Sequence, residues 1–199
     1  MTEITTATLD GADTFIVSHE TSTGANNISS VINLAKAIAE AENIFDYEQA
    51  YVNMRDDTQK EGRLATDLDI LMTSSCGIAF EKDADVDMFV CVTDTGKLPS
   101  YLSKQRPRQP ILACSTSGQV VRQANMVRGV VGYKIPEHMA AKEEELLDLL
   151  LKVAQEQGLC NLPYSKVMIF IGENEGDAKK EKITFKVIGG EELPEEDPE

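Results

Sequence analysis

The stretch Asp87-Met88-Phe89-Val90-Cys91-Val92-Thr93-Asp94-Thr95-Gly96-Lys97 decides the fold of this chain. It opens with a largely apolar run at residues 87–92, which predicts a buried strand. The segment 95–105 predicts a helix directly after it, with Pro99 near its start, where a missing backbone N–H costs little. A buried strand that leads straight into a helix is typical of a parallel sheet covered by helices on its faces.

The same alternation continues on both sides of this unit. The pattern predicts further helices at 63–82, 117–127 and 139–157, and further strands at 110–115, 129–135, 166–172 and 182–188. Only a short polar loop separates the last two strands, so these two must run antiparallel. The sequence therefore predicts an α/β domain with a five-stranded mixed sheet, of four parallel strands and one antiparallel edge strand, flanked by helices.

The first 45 residues form a separate pattern. The apolar run at 14–17 predicts a short buried strand, and apolar residues at helical spacing from Ile28 to Ile38 predict a helix that ends near Asn43. One strand and one helix cannot form a core by themselves, so residues 1–45 are interpreted as part of something larger.

Two polar segments mark the predicted boundaries. Residues 46–62 are predicted to be a linker or a short helix, which places the α/β domain at 63–189. Residues 190–199 are strongly acidic and predict a disordered tail.

Composition and charge argue against several classes of function. The chain has 34 acidic and 19 basic residues and a formal net charge of −15. Binding to nucleic acids or anionic membranes needs clustered Lys and Arg, so neither is expected. No apolar run approaches the roughly 18 residues of a membrane span, and the N-terminus lacks the pattern of a signal peptide. The four cysteines contain no CxxC pair, which favours buried thiols of a cytoplasmic protein over a zinc site.

The turn at residues 93–97 is the strongest candidate binding site. Thr93 and Thr95 supply hydroxyls, Gly96 lets a ligand approach the backbone, Lys97 supplies charge, and a helix begins at this point. These are the parts of a phosphate site. The alternative is a capped helix start that binds nothing, and Asp94 argues against an anion there because its charge would repel it.

Three other segments are weaker candidates. Thr116-Ser117-Gly118 lies at the next predicted strand-to-helix turn, with Arg122 one helical turn further on. Residues 106–108, Arg-Pro-Arg, are a basic triplet that would suit an interface or a solvated loop. His19 lies beside Ser18 and Glu20, but neighbours in a strand do not face each other, so an acid–base role is not indicated. His138 is read as a surface residue.

Several motifs resemble the C-terminal part of pyruvate kinases. Residues 105–113 read Gln-Arg-Pro-Arg-Gln-Pro-Ile-Leu-Ala, followed by Val-Arg-Gln-Ala at 121–124 and Arg-Gly-Val at 128–130. The family typically reads RPRAPIIAVT, TARQA and RG at these places. Upstream, residues 7–13 resemble its AVLDGAD motif and residues 18–24 resemble its SGETAKG motif, all in the family's order and spacing.

The resemblance implies what surrounds the α/β domain. It implies that residues 1–45 are a remnant of the end of the family's (β/α)8 catalytic barrel, although His19 replaces a family Gly and Thr23 a family Lys. Pyruvate kinases transfer phosphoryl from phosphoenolpyruvate to ADP with magnesium and potassium, using residues of earlier barrel strands. Those residues precede the segment that matches Thr2. The resemblance therefore implies no catalytic residue and no cofactor within this chain, and the chain alone is expected to be inactive.

The resemblance also implies partners. The family's C-terminal domain has a regulatory and oligomerisation role, so we expect a homo-oligomer or association with the rest of a pyruvate kinase, in the cytoplasm. A chain that completes a barrel supplied by another polypeptide is one reading. A stand-alone binding module derived from a truncated pyruvate kinase is the alternative.

A sugar bisphosphate activator is the ligand that the resemblance implies. One of its phosphates sits in a loop that resembles TKSGRS, and this loop corresponds to Thr93, Asp94, Thr95, Gly96, Lys97 and Leu98. Asp94 replaces a basic residue, Leu98 replaces a Ser, and the chain has no Trp for the family's second phosphate clamp. The segment 172–177, which contains three acidic residues, corresponds to a GWRPGSG-like loop of the family. Because like charges repel, effector binding is expected to be weak or lost.

Overall fold

The structure is a computed structural model of the 199-residue chain, and it describes residues 2–60, 66–81, 84–139, 143–161, 165–173 and 182–189. The chain divides into two compact units, Met1–Gln49 and Ala50–Glu199. None of the helices in the described ranges is long and apolar enough to cross a membrane.

The described part of the first unit contains three complete helices: α1 (Thr2–Leu9), α2 (His19–Ser22) and α3 (Asn27–Asn43). Helix α1 is rich in threonine, and the hydroxyls of Thr6 and Thr8 donate to the backbone oxygens of Thr2 and Ile4 at 3.0 and 2.8 Å. These bonds satisfy the hydroxyls within the helix. Helix α1 packs against α3, whose Ala37 and Ala41 are buried.

The predicted strand at 14–17 is wrong. These residues lie outside any helix or strand, and the side chain of Ile16 is 88 % exposed. A strand needs a neighbour to satisfy its backbone hydrogen bonds, and the described part of the first unit contains no other strand that could pair with it. The predicted helix is confirmed as α3.

The second unit alternates helices and strands, and α4 begins at Tyr47, three residues before the first residue of this unit, Ala50. Its elements are α4 (Tyr47–Lys60), α5 (Asp67–Phe80), β1 (Val86–Val92), α6 (Lys97–Lys104), β2 (Ile111–Ser115), α7 (Gly118–Ala124), β3 (Val130–Lys134), a 3-10 turn (Glu137–Met139), α8 (Glu143–Glu156), β4 (Lys166–Glu173) and β5 (Lys182–Ile188).

The predicted sheet is confirmed. The strand order is β3-β2-β1-β4-β5, in which the first four strands are parallel and β5 is antiparallel to β4. The antiparallel edge follows from the short 174–181 connection, which cannot carry the chain back across the sheet.

Alternate residues of the central strand enter two apolar clusters, one on each face of the sheet. Phe89 and Cys91 of β1 belong to the cluster that includes residues of α4 to α7. Met88 and Val90 belong to the other, with Leu146, Leu147 and Leu150 of α8. Burial on both faces explains why this strand reads as a continuous apolar run.

Helix limits differ from the sequence-based ones mainly at their ends. Helix α5 begins after Thr66 because the Thr66 hydroxyl caps it, and α7 stops at Ala124, earlier than the predicted end at 127. The stretch predicted as a linker or a short helix contains the 14-residue α4. The predicted acidic tail at 190–199 and residues 61–65 and 140–142 lie outside the described residues.

Candidate functional site

The strand order places a topological switch at β1. From β1 the chain runs to β2 on one side, whereas β4, which comes later, lies on the other side. Val92 of β1 pairs with Ile171 of β4 and with Cys114 of β2, so the carboxyl ends of the three strands are level. In open α/β sheets, ligands bind beyond the carboxyl ends of strands at such a point. The predicted 93–97 turn lies there.

Thr93 serves the turn itself. Its side chain is 1 % exposed, its backbone N–H donates to the Cys114 carbonyl at 2.9 Å, and its hydroxyl accepts from the Gly96 N–H at 2.8 Å. Gly96 precedes α6 with a φ of +83°, a conformation that costs a side-chain-bearing residue energy. Buried Thr93 and the left-handed Gly96 therefore fix the shape of the turn.

Asp94, Thr95 and Lys97 form the solvent-facing part of the same turn. All three are exposed, and the Thr95 hydroxyl accepts from the Lys97 N–H at 3.4 Å. The turn thus presents one hydroxyl, one ammonium and one carboxylate to solvent. That combination favours a weakly bound anion over a tightly bound one, because Asp94 offsets the charge of Lys97.

The second predicted turn, at 116–118, lies beside the first. Ser117 caps α7 by accepting from the Val120 N–H at 3.5 Å, and a Cβ on Gly96 would lie 3.4 Å from Val120 Cγ1. A Cβ on Gly118 would lie 3.3 Å from Arg122 Nη1 and 4.0 Å from Lys134 Cδ. The structure thus brings Arg122 to this turn, as predicted, and adds Lys134, which sequence reasoning missed. The sequence feature that could have indicated Lys134 is the alternation of side chains along β3, which puts Val130, Gly132 and Lys134 on one face of the strand.

Comparison with known proteins identifies the family. Residues 71–187 match the family model described as pyruvate kinase, alpha/beta domain. The chain belongs to the pyruvate kinase family. The matched residues extend from within α5 to β5, so they include all of the sheet except the last residue of β5, together with the 93–97 turn.

Full-length relatives are much longer than this chain. The pyruvate kinase of Dictyostelium discoideum is 26 % identical over 195 residues, which cover 96 % of this chain and 37 % of that protein. The pyruvate kinase of Clostridium acetobutylicum is 28 % identical over 156 residues, covering 78 % and 31 %. The chain thus spans about a third of the length of the relatives it matches.

A solved pyruvate kinase shares the fold. The structure of Cryptosporidium parvum pyruvate kinase in complex with ADP superposes with a TM-score of 0.79 at 24 % identity. The similarity covers 94 % of this chain and 36 % of the other.

The described residues contain no cluster of side chains that could bind a metal ion. No three His, Cys, Asp or Glu side chains there lie close enough to hold a metal ion. His19 and His138 are both exposed, and His19 Nδ1 lies 3.3 Å from the Thr23 hydroxyl, within its own helix end.

The basic triplet at 106–108 lies beside a residue with a structural role. Gln109, next to the basic triplet, donates from Nε2 to the carbonyls of Ala79 and Val86 at 3.2 and 3.0 Å, which joins the end of α5 to the start of β1. Arg106 has a φ of +53° and is half-buried, whereas Arg108 is exposed. The acidic loop predicted to replace the late effector loop lies largely at 174–177, outside the described residues.

The buried-thiol interpretation is confirmed for Cys76, Cys91 and Cys114. Burial raises the pKa of the Cys76 thiol to about 12 and raises that of Cys114 further still. Cys160 is half-buried, and burial together with the nearby Asp87 carboxylate raises its pKa as well. The thiolate is the reactive form of cysteine. A raised pKa therefore makes Cys76, Cys114 and Cys160 unsuited to nucleophilic catalysis at neutral pH.

Proposed function

We propose that this chain is the C-terminal regulatory and assembly portion of a pyruvate kinase and has no turnover by itself. The observation that carries the proposal is the family match over residues 71–187, combined with coverage of about a third of each relative. The reaction proposed for the whole enzyme is phosphoryl transfer from phosphoenolpyruvate to ADP with magnesium and potassium. Phosphoryl transfer needs cationic clamps on the moving group, and the resemblance puts these in earlier barrel strands.

The proposal is tested by a coupled lactate dehydrogenase assay on the purified chain. The assay contains phosphoenolpyruvate, ADP, magnesium and potassium, and the expected result is no pyruvate formation above a blank without the chain. Activity that co-purifies with the chain through two unrelated chromatographic steps would contradict it.

Assembly is the second part of the proposed role. Helix α3 has Ala37 and Ala41 buried on one side and leaves Ile28, Val31 and Ile32 exposed on the other. Exposed apolar stripes of this kind mark interaction surfaces. Sedimentation or size-exclusion measurements over a range of concentrations are expected to show self-association, or association with a co-expressed pyruvate kinase, and a strict monomer in both experiments would contradict the assembly role.

The alternative is a stand-alone module that binds a phosphate-bearing ligand weakly at the 93–97 turn. The position of this turn at the switch point and its exposed Lys97 favour it. Asp94 is the feature that would keep the affinity low, since it places a negative charge in the same turn.

Titration with fructose 1,6-bisphosphate measures the affinity of the chain for this ligand and the effect of Asp94 on that affinity. The unmodified chain is expected to bind weakly or not at all. Asp94→Lys is expected to tighten binding by roughly tenfold, since the local charge changes by two units. Asp148→Lys, at an exposed position of α8, makes the same change in net charge and serves as the matched control. Micromolar binding by the unmodified chain, or equal effects of the two substitutions, would contradict this account.

A further inference from the structure

Arg122 and Lys134 form a pair of neighbouring cations on the surface of the second unit. Arg122 lies on α7 and Lys134 ends β3, and both side chains are exposed. Arg122 Nη1 and Lys134 Cδ lie 3.3 and 4.0 Å from the same point, which is where a Cβ on Gly118 would be. The two side chains of this Arg122–Lys134 pair therefore approach each other beside Gly118, which has no side chain.

Rigid packing holds the pair in place. A Cβ on Gly132 would lie 2.5 Å from the Val121 carbonyl oxygen, so the bare glycine lets α7 approach β3 closely. The Asn125 side-chain oxygen accepts from the Gly132 N–H at 2.6 Å, which ties the end of α7 to the edge strand. Lys134 lies on the same face of β3 as Gly132, two residues on. Cations carried by a helix and a strand fixed in this way lose little freedom when they bind a ligand.

No acidic side chain in the part of the chain that the structure describes forms an ion pair with Arg122 or Lys134. The chain has 34 acidic residues for 19 basic ones, yet within the described ranges neither the Arg122 side chain nor the Lys134 side chain has a hydrogen-bond or ion-pair partner. Glu137, three residues after Lys134, makes no ion pair with it in this part of the chain. Two adjacent like charges repel, and a bound anion between them would remove that repulsion.

We propose that the Arg122–Lys134 pair is a binding site for the phosphate group of a small metabolite, separate from the 93–97 turn. The guanidinium offers a planar set of N–H donors that matches phosphate oxygens, and the ammonium adds a second, movable charge. The two side-chain cations carry this argument, and the backbone amides of the short α7 are not part of it.

Charge selects a small ligand over a phosphorylated macromolecule. The net charge of −15 repels a large acidic partner over its whole surface. A small dianion feels mainly the two cations within a Debye length of about 8 to 10 Å.

Titration with inorganic phosphate, followed by ¹H–¹⁵N correlation spectra at constant ionic strength, tests the site. Amide shifts are expected at residues 116–122 and 134, with a dissociation constant in the millimolar range. The double variant Arg122→Gln with Lys134→Gln is expected to weaken binding at least about fivefold, since it removes both charge-assisted contacts. Arg122→Lys should retain part of the affinity, because it keeps the charge and loses only the planar donor set.

The matched control is Lys36→Gln with Lys152→Gln, which removes two exposed cations from α3 and α8. It is expected to bind as the unmodified chain does, and the amide spectrum of each variant shows directly that it is folded. Equal binding by the two double variants, or no shifts in the unmodified chain up to about 20 mM phosphate, would overturn the proposal. Tighter binding of a phosphoserine peptide than of glucose 6-phosphate would overturn the assignment to a metabolite. Shifts confined to residues 93–97 would overturn the new site while leaving the proposed function standing.

Discussion

Two glycines set how closely elements of the second unit pack. A Cβ on Gly77 of α5 would lie 2.8 Å from the Tyr51 hydroxyl oxygen, which donates to the Thr73 carbonyl at 2.9 Å. A Cβ on Gly132 would lie within 2.5 Å of a backbone oxygen. Neither glycine has a positive φ, so contact distance and not backbone conformation accounts for them.

Gly77→Ala is predicted to destabilise the chain by about 1 to 3 kcal/mol, measured as the free energy of unfolding in urea. The direction of the change in unfolding free energy is informative, because alanine in a helix otherwise stabilises a protein by about 0.5 to 1 kcal/mol relative to glycine. The new methyl group and the Tyr51 hydroxyl cannot both keep their places.

Tyr51→Phe supplies the control for this prediction. It removes the clashing oxygen, so Gly77→Ala in that background is expected to cost clearly less than in the unmodified chain. Equal costs in the two backgrounds would show that the Tyr51 hydroxyl is not the obstacle.

For the 93–97 turn, the sequence predicts which residues form the turn but not which side chains face the interior and which face solvent. The residue types at 93–97 indicate a turn before a helix, and the turn is there. Thr93 faces inward partly because its backbone N–H bonds to the Cys114 carbonyl of β2, and this contact joins residues that are far apart in the sequence. Its hydroxyl bond to Gly96 is local. Lys134 was missed because its importance depends on α7 lying across β3.

At the scale of elements, α5 shows how one side chain joins two helices. Thr66 and Asp69 form a capping box, in which the Thr66 backbone N–H and hydroxyl donate to Asp69 Oδ2 at 3.2 and 2.8 Å. The Lys104 ammonium of α6 donates to Asp69 Oδ1 at 3.2 Å. Burial alone would raise the pKa of Asp69, but these hydrogen bonds and the Lys104 charge lower it below its ordinary 3.8.

The lowered pKa predicts an acid-sensitive contribution to stability. A carboxyl group whose pKa is lower in the folded chain stabilises it above its unfolded pKa, and the contribution is lost as the pH falls through the folded value. Asp69→Asn is therefore expected to cost about 1 kcal/mol at pH 6 and progressively less below pH 3.8. Urea unfolding at a series of pH values measures both.

Asp67→Asn is the matched control, because Asp67 lies in the same first turn of α5 but outside the capping box. It should keep the capping box and cost less at pH 6. A cost of Asp69→Asn that does not change between pH 6 and pH 3 would mean that its charge plays no part.

Strands could be predicted from the sequence where both faces of the strand are buried. Strands β1, β2 and β4 are buried on both faces, so their continuous apolar sequences show them directly. Residues 14–17 are equally apolar, but a strand also needs a pairing partner, which composition does not reveal. Helix α4 was read as a linker or a short helix because it is polar, although Tyr51 is buried and Val52 packs against the core. Helix α1 was unforeseen because threonine disfavours helices, and here its hydroxyls bond within the helix.

At the scale of the whole molecule, the two units differ in how much they bury. Among the described residues of the first unit, the buried side chains are Thr8, Ala37 and Ala41. The second unit contains both apolar clusters, with large buried side chains such as Phe89 and Phe170. Apolar burial is the main source of folding stability, so the second unit should be the more stable one.

Hydrogen exchange is predicted to separate the units. Amides of α1 and α3 should exchange at least about tenfold faster than those of β1, β2 and β4, because local opening needs less free energy where little is buried. Mass spectrometry of peptides from native chain in deuterated buffer measures this directly. Equal protection in α3 and β1 would show that the first unit has stabilising contacts beyond those within itself.

The antiparallel edge strand has a practical consequence for labelling. Because β5 runs opposite to β4, Ile188 pairs with Val167 near the start of β4, whereas the 93–97 turn and the Arg122–Lys134 pair lie at the carboxyl ends of the parallel strands. A fluorophore or a surface tether attached just after Ile188 would therefore leave the sheet at the end remote from both candidate sites. Immobilised binding assays are best oriented through this end of the chain.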